Sequence, residues 1–162
     1  MPEQSDDYWM GEALRRARKA AEIGEVPIGA VIVREGRIIG SGYNLRESRR
    51  DPSAHAEMIA IRRAARSVRN WRLTGATIYV TLEPCVMCMG AIILSRIDRL
   101  VFGCFDPKGG AAGSLYDIGN DRRLNHRLPV VAGVRGEECS ALLSGFFRVL
   151  RGEKGSKSTL PG

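Results

Sequence analysis

The sequence predicts an α/β protein built as a three-layer α-β-α sandwich around a mixed five-stranded sheet. Three observations carry this. Apolar, β-branched runs alternate with segments of helical periodicity. Their order, α, β-hairpin, α, β, α, β, β, α, supplies helices to cover both faces of one sheet. No repeat or linker divides the 162 residues, a length that suits one core. Residues 1–151 are therefore expected to form a single domain, with 152–162, polar and Gly/Ser-rich, as a flexible tail.

The first helix is expected over 6–23. Ser5 or Asp6 can cap it, Asp7 suits the positive end of its dipole, and Trp9, Ala13, Ala17 and Ala20 follow helical spacing before Gly24 stops it. Two strands follow, 28–34 and 37–41, joined by Glu35-Gly36, a two-residue connection ending in Gly that signals a hairpin. After Asp51-Pro52-Ser53 a second helix runs over about 54–68, with Arg62, Arg63, Arg66 and Arg69 read as a solvated face. The strand 77–82 alternates, placing Ile78, Val80 and Leu82 on one face. Glu83-Pro84 ends it, and a short helix follows from Cys85 to about Leu94. Strands 99–104 and 129–134 are separated by the Gly-rich stretch 106–125, and a last helix covers about 137–151.

Charge and composition narrow the partners. A net charge of +7 favours a polyanion through steering and counterion release, or is simply a basic surface. No run approaches the ~20 apolar residues of a membrane span. The acidic N-terminus lacks the apolar core of a signal peptide, so the expected compartment is the cytoplasm. There the four cysteines, Cys85, Cys88, Cys104 and Cys139, are not expected to form a disulfide framework.

The chemistry concentrates in His55-Ala56-Glu57 and Pro84-Cys85-Val86-Met87-Cys88. One imidazole and two thiolates suit Zn²⁺ and leave its fourth tetrahedral position open, while Glu57 is a spare acid beside them. That pattern fits water activation. A closed structural site would need a fourth ligand from Cys104, Cys139 or His126, and a redox Cys-x-x-Cys would leave His55 and Glu57 unexplained. On a regular helix His55 and Glu57 point about 200° apart, so either the first turn is irregular or Glu57 reaches around.

His-x-Glu followed by Pro-Cys-x-x-Cys resembles the zinc deaminases, in which the Glu is acid/base and not a ligand. Further segments narrow the resemblance to the bacterial tRNA-specific adenosine deaminases. These are Tyr8-Trp9-Met10, Glu25-Val26-Pro27-Ile28-Gly29-Ala30, Asn44, Thr81-Leu82-Glu83, Asp106 to Ser114, Asn125-His126 and Leu142 to Phe147. The resemblance implies a cytidine deaminase-like fold and hydrolytic conversion of adenosine to inosine at the wobble position of tRNA anticodons. It implies one zinc per subunit on His55, Cys85 and Cys88, with zinc hydroxide attacking C6 while Glu57 shuttles the proton. It further implies that Asn44 and the Ala56 N–H hold the base. Asp106 and Lys108 would then lie by the flanking nucleotides, and Phe147 and Arg151 near the anticodon loop. A homodimer, with no organic cofactor and no membrane association, completes the expectation. Phe105 and Gly145 depart from residues that are often polar or charged in relatives.

Overall fold

The computed structural model describes residues 4–156. Its elements are α1 (Asp6–Glu22), β1 (Gly29–Arg34), β2 (Arg37–Tyr43), α2 (Ala56–Val68), β3 (Thr77–Leu82), α3 (Val86–Leu94), β4 (Arg99–Cys104), a short 3₁₀ turn (Ile118–Asn120), β5 (Val130–Ala132) and α4 (Gly136–Ser156). The strand order is β2-β1-β3-β4-β5. β1 runs antiparallel to β2 and β3, whereas β3, β4 and β5 run parallel, giving the expected mixed five-stranded sheet.

Local chemistry explains the starts and turns. Ser5 caps α1, its hydroxyl accepting the Tyr8 N–H at 3.2 Å, with Asp6 and Asp7 in the first turn. Asp6 also ties α1 to the sheet, accepting from Arg99 Nη1 and Tyr79 Oη at 2.8 Å each. Glu35 and Gly36 both take positive φ, as a tight hairpin turn of matching twist requires.

Alternation along the central strands sorts side chains between two cores. Ile32, Ile78, Val80, Leu100 and Phe102 face α2 and α3, meeting Ala60, Ala64, Met89 and Ile92. Val31, Val33, Tyr79 and Val101 face the other way, against Trp9, Met10, Ala13 and Leu14 of α1 and Cys139 of α4. Burying each such large aliphatic or aromatic side chain stabilises by roughly 1.5–3 kcal/mol. Gly40 and Gly42 let α2 lie directly on β2, since a Cβ at either would come within 2.5 or 2.7 Å of an α2 carbonyl oxygen.

Several boundaries differ from the sequence reading. β2 continues to Tyr43 because Gly42 and Tyr43 still pair with Ala30 and Gly29. β5 shortens to Val130–Ala132, ended by Gly133 at positive φ. α2 starts at Ala56 and α3 at Val86, leaving His55 and Cys85 as extended N-cap residues. The expected tail is partly helical, because α4 runs on through Gly152 to Ser156. Positions 157–162 of that tail lie outside the described residues.

Candidate active site

Two helix starts converge at the carboxyl ends of the parallel strands. β3 delivers Cys85, whose carbonyl accepts the Met89 N–H at 2.9 Å as α3 begins. In the same way the His55 carbonyl accepts the Ile59 N–H at 3.1 Å as α2 begins. His55 Nδ1 then lies 3.6 Å from Cys85 Sγ and 3.5 Å from Cys88 Sγ. Tetrahedral zinc with Zn–N and Zn–S bonds of about 2.0 and 2.3 Å separates N and S by about 3.5 Å. The donor set therefore fits zinc. Among the described residues these three form the one cluster able to hold a metal ion.

The other potential ligands are engaged elsewhere. His126 bonds through Nε2 to the Ile97 carbonyl at 2.7 Å. Cys104 Sγ meets the Thr81 carbonyl at 3.5 Å, and Cys139 is buried against Gly103. Among the described residues no fourth Cys or His joins the three, which leaves the fourth position to water or substrate.

The placement of Glu57 follows from the N-cap. His55 has extended backbone (φ −77°, ψ 154°), so the 200° separation expected on a regular helix does not apply. Glu57 lies in the first turn of α2, only 4% exposed, and lines the same cavity as His55 and Cys85. Burial pushes its carboxyl up to about 7, opposed by its own backbone N–H and by His55. The Cys85 thiol is drawn down to about 4, first by the hydrogen bond from Cys88 and then by His55, against burial. Cys88 moves the opposite way, because it donates to Cys85 and is itself buried. A divalent cation bound here displaces the protons these groups share.

The cavity has a volume of about 240 Å³. Asn44, Ala56, Asp106 and Phe147 line it, together with Val26, Ile28, Arg46, Leu82 and Glu83. Of the other residues singled out from sequence, Cys88 is fully buried behind it, Lys108 is exposed in the turn after Asp106, and Arg151 is exposed one turn beyond Phe147 on α4. Asn44 is more than a turn residue. It is 5% exposed, donates to the Val26 carbonyl at 3.3 Å and accepts the Arg46 N–H at 3.2 Å. Ala56, as the first residue of α2, has an N–H with no acceptor inside its helix.

Two buried acids were not singled out from the sequence. Glu83, 2% exposed, accepts the backbone N–H groups of Asp106, Ala112 and Ser114 at 3.0, 3.0 and 2.9 Å, and also the Ser114 hydroxyl. It thereby folds the Gly-rich loop against the metal-ligating strand end. Glu25, 1% exposed, accepts the N–H groups of Glu47 and Ser48 at 3.2 and 2.6 Å, fixing the segment that follows Asn44. An acid closing an apolar strand was the available signal for Glu83, but its partners lie 23 to 31 positions away.

Residues 3–104 match the profile of the cytidine and deoxycytidylate deaminase zinc-binding region. A tRNA-specific adenosine deaminase of Bacillus subtilis is 54% identical over 149 residues, covering 92% of each chain. The chain belongs to the tRNA-specific adenosine deaminase family. A Haemophilus influenzae member is 53% identical over 150 residues, covering 92% of this chain and 87% of that protein. A solved structure from work on A-to-I editing by tRNA:A34 deaminases aligns with TM-score 0.81 at 43% identity, covering 84% of this chain and 99% of that one.

Proposed function

We propose that this protein deaminates adenosine to inosine at the wobble position of tRNA anticodons, hydrolytically and with one zinc per chain. The observation that carries the reading is the convergence of His55, Cys85 and Cys88 beside the buried Glu57 in one cavity. Bound zinc supplies the Lewis acidity that turns water into a nucleophile at neutral pH. Glu57 takes the proton released from water and gives it to adenine N1 as the water oxygen bonds to C6, which leaves the amine on a single bond ready to break. A second transfer lets the amine leave as ammonia, so adenosine and water yield inosine and ammonia.

The remaining side chains orient and enclose the base. The Asn44 amide hydrogen-bonds its ring edge, and the Ala56 N–H fixes it against the start of α2. Asp106 and Lys108 flank the neighbouring nucleotides, while Phe147 and Arg151 approach the anticodon loop. The cavity lies below the roughly 300–1,000 Å³ of typical small-molecule sites. That size suits one planar base with the rest of a polymer outside. An anticodon loop already exposes its bases, which lowers the unstacking cost of a few kcal/mol. The charge of +7 supports binding of its phosphates.

The protein works as a homodimer in the cytoplasm. Val86 and Leu94 of α3, with Leu115 and Tyr116, are each more than half exposed, apolar surface that a second copy can cover. No helix among the described residues is long and apolar enough to cross a membrane. Light scattering should return about twice the chain mass of 17.8 kDa. The activity is tested by incubating zinc-loaded protein with an A34-bearing anticodon stem-loop and measuring inosine by nucleoside mass spectrometry. Inosine on the stem-loop, with no inosine from free adenosine and no uridine from free cytidine, supports the reading; turnover of the free nucleosides alone overturns it.

A further inference from the structure

A second concavity, of about 200 Å³, lies outside the active-site cavity and is lined by Arg49, Ile59, Arg62, Arg63 and Arg66. Ile59 is buried and belongs to its floor, while all four arginines are exposed. Among the described residues none of these arginines lies within ion-pair distance of a carboxylate, although six other arginines do. Arg62 and Arg49 act on Asp51 only through their field, and the Asp51 carboxylate is engaged by the Ser53 N–H and hydroxyl at 2.8 and 2.7 Å. Glu57, the one acid of α2, is buried at the metal end, so nothing on this helix neutralises its outer face.

One anchored chain segment runs from the active-site cavity to the arginine concavity. Arg46 lines the catalytic cavity and Arg49 the arginine concavity, three residues apart in the same turn. Between them the N–H groups of Glu47 and Ser48 are held by the buried Glu25 carboxylate. Along α2, positions 62 to 66 lie about 10 to 16 Å beyond His55 at ~1.5 Å per residue. A single free nucleoside bound at the metal does not extend that far, whereas a polynucleotide does. Guanidinium groups grouped around a concavity, without acidic partners, suit phosphodiester oxygens.

We infer that Arg49, Arg62, Arg63 and Arg66 bind backbone phosphates of the RNA strand that leads away from the target base into the anticodon stem. This rests on the tRNA reading above, and the experiment separates the two. The variant Arg62→Gln/Arg66→Gln spares Arg63, which donates to the Ser41 carbonyl at 3.1 Å. Affinity for an anticodon stem-loop is measured by filter binding from 50 to 300 mM salt on zinc-loaded wild type and variant, beside inosine kinetics. The slope of log affinity against log salt should flatten by about 1.4 to 1.8, since each lost phosphate contact removes about 0.7 to 0.9. KM for the stem-loop rises while kcat holds, and Arg62→Lys/Arg66→Lys restores most of the slope. A loop oligonucleotide lacking the stem binds wild type and variant alike. An unchanged slope, or wild type that does not bind the stem-loop, overturns the inference. Wild type that binds the stem-loop but forms no inosine overturns the deaminase reading instead, and the slope comparison still decides the phosphate track.

Discussion

Glu57 and Glu83 are both buried carboxylates lining one cavity, yet the chain treats them in opposite ways. Glu83 is pushed up by burial, but hydrogen bonds from Ser114, Asp106 and Ala112 together outweigh that and hold it below its ordinary value. Glu57 meets no such set of donors, and burial raises it. A saturated carboxylate is a fixed structural anion, whereas a poorly solvated one near neutrality can exchange protons. The difference separates the part of the site that holds shape from the part that does chemistry.

Substitutions can break that division. The largest effect is expected from His55→Ala, which removes one of three metal donors: zinc content and inosine formation should both fall to background, by metal analysis and nucleoside mass spectrometry. Next is Glu83→Ala, which leaves three backbone N–H groups and one hydroxyl without their acceptor. Of these donors only the Ala112 N–H is buried, while Asp106 is half-buried and Ser114 exposed to water. One unsatisfied buried donor costs about 1–3 kcal/mol. Thermal melting should register it as a drop of roughly 2–12 °C. Zinc content should survive that change, with activity lost mainly through KM for the stem-loop.

Gly110→Ala probes the same contact from the loop. A Cβ there would sit 2.2 Å from the Glu83 carboxyl carbon, and overpacking of this kind costs about 1–3 kcal/mol. Combined with Glu83→Ala its effect should shrink, because the atom it strikes is gone; additive melting shifts would show that the clash lies elsewhere. The smallest effect is in pH. Because folding lowers the Glu83 pKa, its contribution is present above the unfolded value of about 4.3 and is lost as pH falls through the lower folded value. Urea titrations should therefore show wild type losing more stability than Glu83→Gln as pH drops below about 4.3.

Much of this was legible in the sequence, for local reasons. Alternation over 77–82, the Glu35-Gly36 turn and the Ser5 cap each write their structure within a few residues, and the layered architecture follows from helices supplied to both sheet faces. The metal donors were legible because three soft or imidazole ligands beside a spare acid have few other uses. What escaped depends on distant partners or on caps. That His55 and Cys85 sit just outside their helices decides where Glu57 points, and periodicity places such boundaries poorly. Glu83 and Glu25 look like surface acids until the loops 106–114 and 46–48 fold back on them. The arginines of α2 read as a solvated face until Arg49 closes them into a concavity.

The most direct measurement is zinc stoichiometry and inosine formation on the A34 stem-loop in the same preparation of Glu57→Gln. The expected result is one zinc per chain, an unchanged melting temperature, and turnover reduced by roughly 10²–10⁴-fold, the usual scale of acid–base catalysis. Inosine formed at the wild-type rate by that zinc-loaded variant would contradict the role of Glu57.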